Sequence, residues 1–176
     1  MKKCLIVIDY QNDFIDGALG FEGGLKIKNK ILSKISSYRK NKDDIIFTKD
    51  THDETYLQTE EGKHLDVIHC VKGTHGHELQ RDVLALKTDE DVVFEKHTFP
   101  SLELGNYLKA KDYQEVELCG LVSNICVISN AIIAKAALPN AHIFVDALAT
   151  ASADEILHKK SLDVMEGLHI EVRNNE

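Results

Sequence analysis

The sequence has no tryptophan, only two prolines, and neither a repeat nor a low-complexity linker. Its longest apolar run is five residues, whereas a membrane-spanning helix needs about 20, so no membrane partner is expected. No basic tract is longer than a pair, and 21 basic residues against 29 acidic ones give a formal charge of -8. A nucleic-acid partner is therefore not expected either.

The N-terminus resembles the start of a signal peptide only briefly. Asp9 ends the apolar stretch after five residues, where a signal peptide needs about 7–15, so a cytoplasmic location is expected. The four cysteines are expected to be reduced thiols rather than a disulfide framework. With 176 residues, 43% of them hydrophobic and 28% charged, the chain is expected to form one globular domain over residues 1–176.

Strands and helices are predicted to alternate along the chain. Apolar runs rich in β-branched residues predict six strands, at 4–9, 44–50, 92–96, 115–120, 142–147 and 169–172. Apolar residues at helical spacing predict helices near 25–39, 78–85, 102–109, 123–138 and 153–166. The fourth of these helices is apolar almost all round and is expected to be buried. The alternation is typical of a three-layer α/β/α domain with a six-stranded, mainly parallel sheet.

Charged residues end three of the predicted strands, and a cysteine follows a fourth. Asp9, Asp50 and Lys96 end the first three strands, and Cys126 lies six residues beyond Gly120 at the end of the fourth. Parallel sheets bind ligands beyond the carboxyl ends of their strands, so these side chains are expected at one edge of the sheet. A thiol among them favours a functional site over chance.

Cys126 is the most informative cysteine. Ser123 or Asn124 is a suitable N-cap, which puts Cys126 in the first helical turn, where the helix dipole favours a thiolate and a lowered thiol pKa. The free amides there are suited to hold an oxyanion. The sequence places no histidine beside it, whereas Asp9 and Lys96 are expected at the same edge. The other three cysteines are expected to be structural: Cys4, Cys70 and Cys119.

The polar segment 51–77 is rich in histidine and glycine, and a loop of this length usually has a function. Asp50 and His52 face the same side of an extended segment, and Glu61 and His69 follow at loop spacing. Two imidazoles and two carboxylates suit Zn(II), Fe(II) or Mn(II) equally. Three further histidines are competing ligands by composition: His64, His75 and His77.

Five segments match a known family in order and at suitable spacing. They are IDYQNDF (8–14), TKDTH (48–52), EGKHLDVIHCVKGTHGHEL (61–79), EKHTF (95–99) and CGLVSNICVISNA (119–131). Together they resemble the isochorismatase-like cysteine hydrolases and, among these, the nicotinamidases or pyrazinamidases. The resemblance covers nearly the whole chain.

The resemblance implies a catalytic triad of Asp9, Lys96 and Cys126. In this pattern Asp9 takes the thiol proton, Cys126 attacks a carboxamide carbon, and the N–H groups of Val122 and Cys126 hold the oxyanion. Ammonia leaves, and water hydrolyses the thioester to the acid. The implied partner is a small amide substrate, with nicotinamide the first candidate. The implied process is pyridine nucleotide salvage. Relatives are often dimers or tetramers, so a homo-oligomer is one possible state.

The resemblance also implies a metal beside the thiol, with zinc expected ahead of iron or manganese. The residues that match its ligands are Asp50, His52, His69 and, in fourth place, Glu61. In the family the metal binds the pyridine nitrogen and orients the ring. Phe14 matches one wall of the ring pocket, and a cis peptide is implied between Leu121 and Val122.

Three features depart from the family pattern. The third-ligand histidine of some members has no clear counterpart, so Glu61 is favoured over His64. Asn124 stands where aspartate is common, and Asp66 stands where many nicotinamidases have the second aromatic wall of the ring pocket. That wall is then expected from Tyr56, Leu65 or Phe99. Hydrolysis of another small amide, or ligand binding without catalysis, are the alternatives to a nicotinamidase.

Overall fold

Six parallel strands form a single sheet in the computed structural model, which describes residues 2–175. The strands are β1 (Lys3–Ile8), β2 (Asp44–Asp50), β3 (Val92–Lys96), β4 (Glu115–Leu121), β5 (His142–Ala151) and β6 (Glu171–Arg173). Their order in the sheet is β3-β2-β1-β4-β5-β6, and every neighbouring pair is parallel. The predicted α/β fold with six strands is confirmed.

Helices cover both faces of this sheet. They are α1 (Glu22–Lys26), α2 (Lys28–Asn41), α3 (Glu60–His64), α4 (Arg81–Leu86), α5 (Leu102–Lys111), α6 (Ile128–Ala137) and α7 (Glu155–Gly167). Ile31 and Ile35 of α2 and Val83 of α4 belong to the apolar cluster on one face. The opposite cluster contains residues of α5, α6 and α7, so the helices form two outer layers.

The central strand β1 contributes to both halves of the core. Leu5 and Val7 join the cluster under α2, whereas Ile6 and Ile8 join the cluster under α5, α6 and α7. All four side chains are fully buried, and each burial contributes about 1.5–3 kcal/mol. An uninterrupted apolar run is the pattern that a strand covered on both faces requires.

The direction of strand addition reverses between β1 and β4, and ligands of such sheets bind at this point. Gly120 pairs with Ile8 across these two strands. Its φ is +113°, and a Cβ at this position would lie 2.0 Å from the Ile8 carbonyl oxygen. Only glycine therefore allows the two strands to approach so closely just before Asp9.

Three segments differ from their prediction. Segment 51–77, predicted to be irregular, contains α3, and β5 continues to Ala151 instead of ending at residue 147. The helix predicted at 123–138 begins with a π-helical turn, Ser123–Val127, before α6. Its expected complete burial is wrong, because Ile132 is 44% exposed on the outer face of α6. Within residues 2–175, no helix has the length and apolarity to cross a bilayer.

Candidate active site

Three residues from distant parts of the sequence meet beyond β1 and β4. Asp9 follows β1, Lys96 ends β3, and Cys126 lies in the π-helical turn after β4. Lys96 Nζ is 2.5 Å from Asp9 Oδ2 and 3.6 Å from Cys126 Sγ. Asp9, Lys96 and Cys126 are 0%, 2% and 5% exposed. The structure thus brings the acid, the amine and the sulfur together at one buried point.

Thr48 of β2 supports Asp9, a role that no sequence pattern indicated. The Thr48 hydroxyl donates to Asp9 Oδ1 at 2.6 Å, and the Asp9 amide donates to Thr48 Oγ1 at 3.2 Å. Asp9 has a φ of +42°, which is uncommon for a residue with a side chain. These bonds hold one carboxylate oxygen toward Thr48 and leave the other facing Lys96.

Burial dominates the protonation of this cluster. It raises the pKa of Cys126 well above its ordinary value; Lys96 opposes this shift, and Asp9 reinforces it. Burial also raises the pKa of Asp9, although Lys96 acts in the opposite direction. For Lys96, burial lowers the pKa, but the surrounding negative charges outweigh burial and raise it, so the amine stays charged.

The expected lowering of the Cys126 pKa by the helix N-terminus is wrong. The thiol is nearly inaccessible, and the cost of desolvating a thiolate there exceeds the stabilisation by a helix dipole. The raised pKa favours the protonated thiol, so a nucleophilic attack by Cys126 would need a base, and Asp9 is the candidate. The other cysteines are free, and burial raises their pKa values too: Cys4, Cys70 and Cys119.

The backbone that leads into the π-helical turn has the geometry that the family resemblance implies. A cis peptide bond joins Leu121 to Val122. The Val122 carbonyl accepts hydrogen bonds from the amides of Ile125 at 3.2 Å and Val127 at 3.1 Å, which closes the turn around Cys126. The amides of Val122 and Cys126 are accordingly the candidate oxyanion donors.

A second cluster lies beside the triad. The ligand atoms of Asp50, His52, Glu61 and His69 all lie within 4.8 Å of one another. Asp50 Oδ2 is 3.0 Å from His52 Nε2 and 3.2 Å from His69 Nε2. Glu61 Oε1 is 3.6 Å and 3.9 Å from the same two nitrogens. Asp50 Oδ1 lies 3.6 Å from Lys96 Nζ, which links this cluster to the triad.

The donor set fits a divalent metal ion. Asp50 Oδ1 and Glu61 Oε2 are buried and form no hydrogen bond with any part of residues 2–175. His69 Nδ1 donates to the Val67 carbonyl at 2.7 Å, so in the neutral ring Nε2 carries the free lone pair. Burial raises the pKa of Asp50, but the neighbouring imidazoles of His52 and His69 and the Lys96 ammonium lower it below its usual range and keep it charged. Carboxylate and imidazole ligands suit zinc, iron(II) and manganese(II).

The three competing histidines lie outside this cluster. His64 is exposed, and its Nδ1 contacts the Glu60 carbonyl. His77 Nε2 lies 2.9 Å from the Thr51 hydroxyl. His75 is exposed on the same loop. Glu61 is therefore the fourth member of the cluster in this structure.

A cavity of about 220 Å³ connects the two clusters. Asp50, Glu61 and His69 line it on one side, and Val122 and Cys126 line it on the other. Pockets for drug-sized ligands usually measure about 300–1,000 Å³, so this cavity suits a smaller molecule.

Apolar side chains form most of the remaining cavity wall: Phe14, Leu19, Phe21, Leu65, Phe99, Ile125 and Ala153. Of the three candidates for the second ring wall, Leu65 and Phe99 are present and Tyr56 is absent from the lining. The Tyr56 ring instead packs 4.6 Å from His52 and 4.9 Å from His69, and its hydroxyl donates to the Leu65 carbonyl. Tyr56 thus packs against the two imidazoles without lining the cavity. Sequence reasoning missed Phe21, since no pattern shows how its loop folds.

A larger groove, of about 550 Å³, lies at the amino-terminal edge of the sheet. Arg39, Asp91 and Lys111 are among its lining residues, and no member of either cluster reaches it. Size alone therefore does not locate the reactive groups of this protein.

Comparisons with known proteins identify the family of this chain. The family model named isochorismatase domain matches residues 3–176. An uncharacterized isochorismatase family protein, PncA of Bacillus subtilis (strain 168), is 32% identical over an alignment of 143 residues, and the match covers 75% of this chain and 78% of that protein.

Solved structures show the same fold. The nicotinamidase PncA from Bacillus subtilis is 28% identical with a TM-score of 0.87, covering 99% of this chain and 100% of that one. The pyrazinamidase of Pyrococcus horikoshii, solved in complex with zinc, is 24% identical with a TM-score of 0.85, covering 98% of each chain.

Fold and site together define a hydrolase with an isochorismatase-like architecture. The chain belongs to the isochorismatase domain family. The family resemblance drawn from the sequence is confirmed, and at the level of this family so is the expectation of a hydrolase acting on carbon–nitrogen bonds.

Proposed function

We propose that the protein is a cysteine-dependent amidohydrolase that converts a small heteroaromatic carboxamide, nicotinamide before others, to its carboxylic acid and ammonia. The main support is the one cavity that both Cys126 and the metal-suited cluster border, with Asp9 and Lys96 beside the thiol. Structural neighbours named nicotinamidase and pyrazinamidase support the substrate class. The nicotinate released would be available for pyridine nucleotide salvage.

The positions of the triad side chains support the following acylation step. Cys126 Sγ attacks the carboxamide carbon while its proton passes to the Asp9 carboxylate, and Lys96 remains charged beside both groups. The amides of Val122 and Cys126 donate to the oxyanion. When the carbon–nitrogen bond breaks, Asp9 returns the proton to the nitrogen, and ammonia leaves a thioester on Cys126.

Deacylation uses the same acid. Asp9, again a carboxylate, takes a proton from a water molecule as the water oxygen attacks the thioester carbonyl. The carbon–sulfur bond then breaks, the carboxylic acid is released, and Asp9 returns a proton to the Cys126 sulfur. The cycle restores the protonated thiol that burial favours at rest.

The ion that the second cluster would hold is proposed to be zinc. Its ligands would be Asp50, His52, Glu61 and His69. When bound, it supplies a Lewis-acidic position for a ring nitrogen, which orients the ring. Phe14 and Phe99 supply the apolar surface against which that ring packs.

Ammonia release from nicotinamide, pyrazinamide and benzamide tests this function. Benzamide has the shape of nicotinamide without the ring nitrogen, so we expect the first two substrates to be preferred. Cys126→Ala is expected to lose about 10³-fold or more in kcat/KM, because members of a catalytic unit are not individually dispensable. Cys4→Ala, in a distant part of β1, is the matched control. Equal rates for wild type and Cys126→Ala would overturn the proposal.

Asp66 supports a second candidate, the hydrolysis of another small amide. It is exposed, and the cavity wall near it is formed by the aliphatic Leu65 rather than by an aromatic ring. A panel of aliphatic amides distinguishes the two candidates. Faster turnover of an aliphatic amide than of nicotinamide would favour the second one.

A further inference from the structure

The Gln11 side chain forms hydrogen bonds with both the amide and the carbonyl of Asp50. Gln11 Nε2 donates to the Asp50 carbonyl at 2.8 Å, and Gln11 Oε1 accepts from the Asp50 amide at 2.8 Å. Nε2 also donates to the His77 carbonyl at 2.9 Å. Gln11 is fully buried, and these three bonds all go to main-chain atoms.

The two bonds to Asp50 replace the strand pairing that β1 does not provide at this position. β1 pairs with β2 only as far as Val7 opposite Phe47, so no residue of β1 pairs with Asp50. The side-chain amide of Gln11 presents a donor and an acceptor as a peptide group does, and it extends the ladder by one rung. Asp50 is also the centre of the metal-suited cluster, because its Oδ2 contacts both imidazoles.

Asn12 provides a contrast on the same loop. Its Nδ2 donates to the His75 carbonyl at 2.8 Å, two residues before the His77 carbonyl that Gln11 binds. Both side chains therefore fasten the loop, whereas the two bonds to Asp50 come from Gln11. A general stabilising role and a role in placing Asp50 can be separated by comparing these two neighbours.

We propose that Gln11 is a positioning residue of the metal site, which sets the affinity for a divalent ion by fixing the main chain of Asp50. The inference rests on the proposed metal site. Gln11→Glu would turn an oxygen toward the carbonyls of Asp50 and His77, so two hydrogen bonds would give way to repulsion. Outer-shell partners of metal ligands typically change metal affinity by about 10–100-fold when they are replaced.

Zinc affinity, measured on the full chain by competition with a chromophoric chelator, tests this role. Gln11→Glu is expected to weaken zinc binding about 10–100-fold, and Gln11→Met, which keeps the length but makes no hydrogen bond, about tenfold. Asn12→Asp makes the same amide-to-carboxylate change on the same loop and is expected to stay within about threefold of wild type. Gln80→Glu retains the acceptor that caps α4 and is the second control, because the Gln80 side chain bonds to the amides of Asp82 and Val83 rather than to Asp50.

The melting temperature of each metal-free variant reports general stability separately. Wild-type affinity in Gln11→Glu would overturn the inference, and so would an equal loss in Asn12→Asp, because a merely structural role affects both. If Gln11→Glu does not fold, the comparison of Gln11→Met with Asn12→Asp decides. A wild-type chain that binds no zinc would overturn the metal site and this inference together, whereas unchanged affinity in the Gln11 variants alone removes only the role of Gln11.

Discussion

The Lys96 ammonium lies 2.5 Å from the Asp9 carboxylate, and the two side chains are 1% and 0% exposed. Removing one partner of a buried ion pair leaves an uncompensated charge and costs about 3–5 kcal/mol. We expect Lys96→Met and Asp9→Asn each to lower the free energy of unfolding by about this amount. The double variant should lose less than the sum, because neither charge is then left behind. Urea denaturation of the three variants measures the coupling, and strictly additive losses would contradict it.

Cys126 should be the first thiol to react with a small alkylating reagent. It borders the cavity, whereas Cys4, Cys70 and Cys119 are fully buried. Because burial raises the Cys126 pKa, the thiolate fraction is small at neutral pH and grows as the pH rises. We therefore expect the rate of modification by iodoacetamide to increase throughout the alkaline range, as measured by peptide mass spectrometry. A rate that levels off below pH 7 would indicate a lowered pKa and contradict this expectation.

The ring of Phe14 should contribute to substrate binding more than to chemistry. It lines the cavity, and its centroid lies 5.7 Å from that of His69. Phe14→Leu removes aromatic contacts worth about 0.5–1.5 kcal/mol, so KM for nicotinamide is expected to rise about 2–10-fold with little change in kcat. Phe94→Leu is the control, because Phe94 packs against Tyr107, away from the cavity. Equal effects of the two substitutions on KM would exclude a direct contact.

The ion pair between Arg39 and Asp91 should make stability depend on pH. Arg39 Nη1 and Nη2 lie 2.7 Å and 2.5 Å from the two Asp91 oxygens. Burial raises the pKa of Asp91, but the opposite effect of Arg39 is larger. The folded-state pKa is therefore below the unfolded value of about 3.9. The stabilisation is complete above that unfolded value and is lost as the pH falls through the folded pKa.

Asp91→Asn is accordingly expected to cost about 2 kcal/mol at pH 7 and progressively less below pH 4. Denaturation curves at several pH values measure this difference against wild type. Asp16→Asn, at an exposed aspartate, is the matched control. A cost for Asp91→Asn that stays constant down to pH 2 would show that the charge of Asp91 is not the cause.

The sequence predicts the edge of the sheet on which the reactive groups meet, because strand periodicity and parallel topology are local and general rules. Asp9 and Lys96 end strands whose apolar patterns are clear, so their convergence follows from the fold. The protonation of Cys126 does not follow, since it depends on how completely the surrounding elements exclude water. The helix dipole argues for a thiolate, and the burial of the thiol reverses that conclusion.

Hydrogen bonds between residues far apart in the chain could not be predicted from the sequence either. Gln11 bonds to residues 39 and 66 positions away, and Thr48 bonds to Asp9 over 39 positions. A sequence pattern reports the spacing of residues within one element, not which polar group of one loop faces another. For the same reason the sequence did not predict that Phe21 lines the cavity. The metal-suited set was found because histidine and carboxylate types carry their own chemistry, whatever the path of the loop.

The close contact between Gly120 and Ile8 affects how far apart Asp9 and Cys126 lie. Asp9 follows one of the two strands that meet there, and Cys126 follows the other. A methyl group at position 120 would act as a wedge against the Ile8 carbonyl and force the two strand ends apart. In the proposed mechanism, the absence of a Cβ at Gly120 thus keeps the path of the proton from the Cys126 sulfur to the Asp9 carboxylate short. The absent side chain of Gly120 thereby sets the spacing between the strand ends that are followed by Asp9 and Cys126.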